Sequence, residues 1–298
     1  MDTIRLLVQK NYHIGLIEHV TRLPSSGNQT FLVHASSGDF VIRFNPTKGP
    51  QAREKEEVME EVLFLHYLQQ CDIPVGEVIP TRSNDFLVDF EGSYGFLRRF
   101  LSGEALGNPN KEQIAMAGEM LGSIHRASET YVPTYLRAHK WDLERVGTYW
   151  QENKVAILAS DVLQAQDFVH SFEEKLKTII FPNTLPSGML HEDFGKRHIL
   201  WKQGKIVGVI DFDRSYVGPF ILDIGQAIRG WCTNQEEVGA FLEGYECSRM
   251  LHDLELDVLE QAIVFAFLER AQAFLMRGIK EQNVDLIESA MQELQAIL

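Results

Sequence analysis

Cysteine is scarce in this sequence of 298 residues, which contains only Cys71, Cys232 and Cys247. None of them forms a Cys-x-x-Cys pair, so the sequence indicates neither a disulfide framework nor a zinc site. Long apolar runs are missing as well, since no stretch approaches the ~20 apolar residues that a membrane-spanning helix needs. The first residues are too interrupted by charge to form a signal peptide. We therefore expect a reduced, cytoplasmic protein with no membrane segment.

Basic residues are outnumbered, with 28 Lys and Arg against 42 Asp and Glu and a formal net charge of −14. Nucleic acids and anionic membrane surfaces attract basic proteins, so both are disfavoured as partners. Residues 1–100 carry a net charge of −3, and residues 101–298 carry −11. If the second region binds a substrate, its field favours a cationic one, although a solvated acidic surface that only aids solubility would carry the same charge.

Internal repeats and low-complexity segments are also absent, and 45% hydrophobic residues indicate an ordinary globular protein. Apolar alternation predicts strands in residues 15–45 and 86–101, with a helix over 51–70 whose charged face we expect to be solvated. From residue 101 onward, apolar residues recur mostly at helical spacing, interrupted by a strand–turn–strand stretch that ends in IDFD. We place the boundary between the two regions at residue 100, beside a cluster of Gly, Pro and Asn.

Several common catalytic signatures are missing, among them the P-loop, H-E-x-x-H, G-x-S-x-G and the dinucleotide-binding G-x-G-x-x-G. The chemistry-bearing stretch is residues 188–225, where Asp193 and Asp211 flank a predicted hairpin that carries His198. A hairpin brings residues that are distant in sequence to one end of the ribbon. A carboxylate directly after a buried strand needs a cation or hydrogen-bond donors, and Mg²⁺ bound to nucleotide phosphates is a natural partner.

The order HEDF, HILW, VIDFD, GPF and LDIG resembles the aminoglycoside phosphotransferase/choline kinase superfamily over nearly the whole chain. The segment GNQTFLVHASSGDFVIRF looks most similar to homoserine-kinase-type members. The resemblance implies an α+β, bilobal, protein-kinase-like fold. Its small β-rich lobe, residues 1–100, would bind nucleotide phosphates. Its larger, mainly helical lobe, residues 101–298, would hold the catalytic hairpin and the acceptor site.

The same resemblance implies a role for each residue that matches the family pattern. Asp193 occupies the position of the catalytic base, and Asp211 that of the main Mg²⁺ ligand. Arg43 matches the strand residue that contacts the α- and β-phosphates. Glu61 matches the helix carboxylate that orients this residue, with Glu57, one turn away, as the rival assignment.

The resemblance also implies nucleotide contacts in the first lobe and one structural acid in the second. Ser26, Gly27 and Asn28 replace the family's glycine-rich phosphate loop, and the backbone around Arg98, Arg99 and Phe100 would form the adenine hinge. Asp223 is expected to accept hydrogen bonds from backbone amides of the catalytic loop. His191 is expected to brace that loop.

Two residues depart from the family pattern: His198 stands where Asn is usual, and Glu192 where Gly is common. Imidazole suits Mn²⁺ better than Mg²⁺, so His198 would bind a metal or else hydrogen-bond within the loop or to a phosphate. The main hypothesis is an ATP-dependent kinase that phosphorylates a hydroxyl of a small, amine-bearing and cationic molecule. A nucleotide-binding pseudokinase with a regulatory role is the alternative. ATP against GTP and the oligomeric state stay open.

Overall fold

The computed structural model describes residues 1–24, 28–46, 52–138 and 140–298. The chain divides into two compact units. The first comprises Met1–Asn108, Thr130–Arg137 and Arg197–Ser215, and the second comprises Pro109–Glu129, Ala138–Lys196 and Tyr216–Leu298. The first unit therefore includes two later segments, one of which carries His198 and Asp211. The nucleotide and acceptor roles assigned to residues 1–100 and 101–298 stay predictions.

The helices occupy most of the regions where apolar residues recur at spacings of three and four. Those of the described residues are α1 (Asp2–Asn11), α2 (Lys55–Gln70), α3 (Lys111–Ser128), α4 (Leu143–Leu158), α5 (Ala165–Lys177), α6 (Phe220–Trp231), α7 (Gln235–Glu246), α8 (Asp253–Glu281) and α9 (Val284–Gln295). Of these helices, α1 and α6 were not predicted from the sequence.

The strands are short, and several of them have only two or three residues. They are β1 (Ile17–Leu23), β2 (Gln29–Ala35), β3 (Gly38–Phe44), β4 (Val78–Ile79), β5 (Leu87–Phe90), β6 (Ser93–Arg99), β7 (Glu104–Ala105), β8 (Ser187–Met189), β9 (Ile199–Lys202), β10 (Lys205–Val209) and β11 (Val217–Pro219). The four longest, together with β5, β9 and β10, were predicted, whereas two-residue strands such as β4 and β7 are too short for a periodic signal.

The first unit is built on an antiparallel sheet in the order β1-β2-β3-β6-β4, with β5 also paired to β6. A second sheet of this unit has the order β10-β9-β7. One face of β3 and β6 presents Ile42 and Leu97 to an apolar core that also takes Ile4 and Val8 from α1. The opposite face carries Arg43, because successive side chains of a strand alternate between faces.

The second unit is mainly helical, with the two-stranded ribbon β8–β11 as its described sheet. Its apolar core includes Trp150 of α4, which stacks on Phe172 of α5 with a centroid distance of 3.9 Å, and Phe265 and Leu268 of α8. Within the described stretches, no helix combines the length and the apolar character needed to cross a bilayer. Both units agree with the predicted α+β class.

Candidate active site

Arg43 lies at the centre of a charged cluster in the first unit. Strand β3 places its guanidinium between two carboxylates, with Nη2 donating to Glu61 Oε1 at 2.7 Å and Nη1 donating to Asp211 Oδ1 at 2.5 Å. Asp213 Oδ2 lies 3.8 Å from Nη1. Burial alone would lower the pKa of Arg43, but Glu61, Asp213 and Asp211 together raise it above its usual range. The side chain is therefore a fixed cation.

The partner of Arg43 on α2 is Glu61 and not its rival, Glu57. Glu61 is 2% exposed and also accepts a short hydrogen bond from Arg53, so it bridges two guanidinium groups. Glu57 instead accepts from Arg137 Nε at 3.1 Å. The expected solvated charged face of α2 is wrong in part, because both glutamates are buried against arginines from other segments of the unit.

The β9–β10 hairpin brings His198 to Asp211. The N–H of Ile210 donates to the carbonyl of His198 at 3.0 Å, and His198 Nε2 lies 3.2 Å from Asp211 Oδ2. Asp211 follows β10 with φ at 74°, in the left-handed region, which costs a non-glycine residue on the order of 1–2 kcal/mol. Such strain concentrates at functional sites.

Two neighbours compete for the same nitrogen of His198. Arg197 Nε donates to Nε2 at 2.9 Å, so Nε2 acts as an acceptor in that contact and cannot also donate a proton to Asp211. Nε2 of His198 therefore faces both Arg197 and Asp211. The carboxylate oxygens of Asp211 and Asp213 are the hard donors of the cluster and suit Mg²⁺, whereas the imidazole would suit Mn²⁺.

Asn28 is the described member of the predicted phosphate loop, and its Nδ2 donates to Asp213 Oδ2 at 3.2 Å. Burial alone would raise the pKa of Asp213, but Arg43, Arg53 and this amide hold it below its ordinary value. Asp213 is therefore ionised at neutral pH. Ser26 and Gly27 lie outside the described residues.

The predicted hinge residues sit at the end of β6, and two of their amides are already bonded within the unit. The N–H of Arg99 donates to the carbonyl of Glu77 at 2.8 Å, and that of Phe100 donates to the carbonyl of Asp39 at 2.9 Å. These two N–H groups are therefore already used and do not donate to the base of a nucleotide. Carbonyls and side chains of the segment would have to supply such contacts.

The side chain of Arg98 shares a sheet face with Arg43, because β6 and β3 pair Arg98 with Val41. Nη1 of Arg98 lies close to Gly76, since a Cβ at that glycine would be 3.4 Å from it. Among the described residues, no hydrogen bond or ion pair engages its guanidinium. Burial and the charge of Arg43 lower the pKa of Arg98 to about 10.

Asp193 lies in the second unit, on a loop that Asp223 organises. The buried carboxylate of Asp223 accepts the N–H of His191 at 2.7 Å and that of Glu192 at 2.9 Å. His191 Nδ1 in turn accepts the N–H of Asp193 at 3.2 Å. The predicted roles of Asp223 and His191 in bracing this loop are confirmed.

Glu192 adopts φ of 66°, which explains why Gly is common at this position in the family pattern. His125 is also buried, and it supports the loop through Asp223. Its Nε2 lies 3.1 Å from Asp223 Oδ2, and its Nδ1 lies 2.8 Å from the hydroxyl of Tyr245. Burial lowers the pKa of His125, so the ring is neutral, donates from Nε2 to Asp223 and accepts from Tyr245.

Three arginines of these two clusters were not singled out by the sequence. Arg53 pairs with Glu61, and Arg137 joins Glu57 to the carbonyl of Asp213, which it meets at 2.6 Å. Arg270 of α8 lies beside Asp193, with 3.6 Å between Nη2 and Oδ1. Arg137 and Arg270 lie far along the chain from their carboxylates, and no sequence motif marks Arg53 ahead of α2, so only the fold reveals these pairs.

Comparisons with known proteins identify the family. The model of the phosphotransferase enzyme family matches residues 19–256. Homoserine kinase of Methylobacillus glycogenes is 24% identical over 255 residues, 83% of this chain and 76% of that protein. The solved structure of an amicoumacin kinase in complex with AMP-PNP, Ca²⁺ and Ami has a TM-score of 0.76 at 16% identity, covering 99% of this chain and 92% of that one. A microcompartment-associated aminopropanol kinase gives a TM-score of 0.68 at 19% identity, covering 99% and 94%.

These matches confirm the predicted fold class and disfavour the pseudokinase alternative, because the relatives are themselves named as kinases. The structural matches, at under a fifth identity, establish the protein-kinase-like fold alone. Because the family model spans most of the sequence, the chain belongs to the phosphotransferase enzyme family and is a small-molecule phosphotransferase.

Proposed function

We propose that this phosphotransferase moves the γ-phosphate of ATP to a hydroxyl group of a small, amine-bearing molecule. The observation that carries the proposal is the cluster in which one buried arginine, Arg43, is held by Glu61 and faces the carboxylates of Asp211 and Asp213. Phosphoryl transfer requires mainly positioning and charge compensation, and this cluster supplies a fixed cation next to metal-binding oxygens. The relatives named for homoserine and aminopropanol support the acceptor class.

Each residue has a defined task in the proposed reaction. Asp193 accepts the proton of the acceptor hydroxyl as its oxygen bonds to the γ-phosphorus, and the bond from that phosphorus to the β,γ-bridging oxygen breaks to release ADP. Arg43 binds the α- and β-phosphates, and Glu61 orients it. Arg98 and Asn28 lie in the same unit and line the nucleotide side.

A divalent cation, Mg²⁺ or Mn²⁺, would be held by Asp211, with His198 or Asp213 beside it, and would compensate phosphate charge. Oδ1 of Asp211 faces Arg43 while Oδ2 faces His198, so the two oxygens of one carboxylate are divided between the arginine and the metal side.

The test compares Asp193→Asn with Asp211→Asn in an assay of ADP release with homoserine and amino alcohols as acceptors. We expect Asp193→Asn to lower kcat by about 10²–10⁴-fold with ATP affinity unchanged, because only the proton acceptor is lost. Asp211→Asn should weaken metal-dependent nucleotide binding itself. The matched control is Asp257→Asn, an exposed position on α8. Wild-type turnover in Asp193→Asn would refute the proposal.

A further inference from the structure

Arg270 stands beside Asp193 in the second unit but is poorly bonded. Its closest approach, Nη2 to Oδ1 at 3.6 Å, exceeds the about 2.7–2.9 Å of a charge-assisted hydrogen bond. Its Nε is buried and has no hydrogen-bond partner within the described part of the chain. Both side chains are largely enclosed, with 13% of Arg270 and 14% of Asp193 exposed.

This geometry does not suit a simple counter-ion. An arginine that neutralises a carboxylate makes at least one short hydrogen bond to it, as Arg43 does to Asp211 and Arg137 to Glu57, whereas Arg270 makes none to Asp193. The fork of a guanidinium matches the plane of a carboxylate. A buried donor without a hydrogen-bond partner costs about 1–3 kcal/mol. The unpaired N–H of Arg270 next to the proposed base therefore indicates a ligand that accepts this hydrogen bond. The ligand must be an acceptor of planar, paired hydrogen bonds.

The surroundings of Arg270 define the charge pattern of that ligand. Burial and the nearby charge of Arg270 lower the pKa of Arg229. Arg229, however, is already bonded to Glu293 at 2.8 Å. Glu269 accepts from Gln226 at 2.9 Å. The neighbourhood thus holds one under-bonded cation together with the carboxylates of Asp193, Glu269 and Glu293, of which Glu293 is already paired with Arg229. A molecule that bears both a carboxylate and an ammonium group matches this arrangement.

We propose that Arg270 binds the carboxylate of the acceptor and that the acceptor is a hydroxy amino acid. The inference rests on the proposed function, since it names the acceptor of that same reaction. It narrows the expectation of a cationic molecule, drawn from the acidic second region, to a zwitterion. Arg270 acts here as a residue that determines specificity, next to the base that activates the hydroxyl.

The experiment compares three acceptors that differ at one group: L-homoserine, its carboxamide, and the amino alcohol that lacks the carboxylate altogether. Wild-type kcat/KM should be about 10–100-fold higher for homoserine, the factor expected for a charged hydrogen-bonded pair. In Arg270→Gln that preference should disappear through a raised KM for homoserine, with the KM for ATP unchanged. Arg270→Lys should restore part of it. Arg277→Gln, an exposed position on the same helix paired with Glu281, is the control.

Other outcomes overturn the inference in distinguishable ways. An equal fall in kcat for all three acceptors in Arg270→Gln would assign the residue to Asp193 or to the transferred phosphate. Equal turnover of the three acceptors by the wild type would also overturn it. If the wild type transfers to none, the proposed function fails. Calorimetric titration of homoserine and the amino alcohol with AMP-PNP present then decides the binding role, since equal affinities would refute it. If Arg270→Gln does not fold, Arg270→Lys and the wild-type acceptor comparison decide.

Discussion

At the scale of single residues, the charged cluster of the first unit combines one strongly stabilised cation with one that is poorly stabilised. Arg43 is bonded on both sides by Glu61 and Asp211, which hold it charged and fixed. Arg98, on the same face of the sheet, has no such partner among the described residues, and its pKa is lowered to about 10. The charge of Arg43 is matched by its partners, whereas that of Arg98 is retained at a cost.

Replacing Arg98 by Met should stabilise the free protein and weaken nucleotide binding. The substitution keeps the apolar stem and removes a desolvated cation, so we expect the free energy of unfolding to rise by about 1 kcal/mol. The affinity for ATP should fall, since an anion-binding group is lost. Thermal unfolding and calorimetric ATP titration measure the two effects. A destabilised variant with unchanged ATP affinity would show that Arg98 is structural.

The neutral His125, which contacts Asp223 and so supports the loop that carries Asp193, should make the protein less stable in acid. Its folded-state pKa lies below the unfolded value of about 6.5, so the unfolded chain binds more protons and stability falls as the pH drops below that value. One proton accounts for at most about 1.4 kcal/mol per pH unit. His125→Gln should lose less stability than the wild type between pH 7 and pH 5 in urea unfolding. Parallel losses would contradict this assignment.

The acidic residues that we assign to the reaction were predictable from the sequence, but Arg137 and Arg270 were not. Asp193, Asp211 and Asp223 stand in ordered local motifs, and the bracing of the loop by Asp223 followed from the family pattern. Arg270 and Arg137 stand in ordinary helical or loop sequence. Their significance comes from tertiary contacts, which a spacing rule cannot express.

At the scale of secondary structure, helix α2 is held in place by hydrogen bonds to its buried glutamates as well as by its apolar face. Its Glu60 is 3% exposed and accepts hydrogen bonds from the hydroxyl of Tyr131 at 2.6 Å and from the N–H and hydroxyl of Thr134 at 3.0 and 2.7 Å. The segment Thr130–Arg137 thus holds the helix that carries Glu61. The charged face looked solvated in the sequence because the donors come from a segment about 70 residues away.

Arg137→Lys should weaken ATP binding, although Arg137 is not among the residues proposed to contact the nucleotide. Lysine cannot reproduce the fork that joins the carboxylate of Glu57 to the carbonyl of Asp213, so the loop bearing Asp211 loses a support. We expect the KM for ATP to rise about 3–10-fold, the order of one lost charged hydrogen bond, while the acceptor KM stays constant. Steady-state kinetics with each substrate varied in turn measures this. An equal rise in both KM values would contradict a local effect on the ATP side, and a lower kcat with both KM values unchanged would indicate loss of folded enzyme.

Helices α3 and α7 approach so closely that glycine is required at their contact. A Cβ on Gly244 would lie 1.9 Å from the carbonyl oxygen of Ala115, whereas one on Gly239 of the same helix would meet nothing within 4 Å. Gly244→Ala should therefore destabilise the protein by about 2–4 kcal/mol, the range of severe overpacking. Gly239→Ala should be stabilising by about 0.5–1 kcal/mol. Chemical denaturation of both variants measures the contrast, and similar values would contradict the close approach.

At the scale of the whole molecule, the order of motifs along the chain was more informative than any single element. The family pattern spans both compact units, which is why the α+β kinase-like class and the phosphotransferase activity followed from the sequence. The assignment of segments to the two units did not follow from the sequence. Arg197–Ser215 belongs to the first unit, although the chain between this segment and Arg137 belongs to the second. This alternation of segments between the units depends on tertiary packing and has no local sequence signal.

The net charge of −14 predicts opposite salt dependences for the two kinds of substrate. A negative field attracts a cationic acceptor and repels anionic ATP, and added salt screens both effects over a Debye length of ~10 Å at 0.1 M. As ionic strength rises from low to ~0.3 M, kcat/KM for an amino alcohol should fall, that for ATP should rise, and that for zwitterionic homoserine should change little. Initial rates in NaCl, with sodium sulfate at matched ionic strength as the control, measure the three slopes. Slopes of the same sign for the amino alcohol and ATP would show that only local groups, such as Arg43 and Arg270, govern substrate capture.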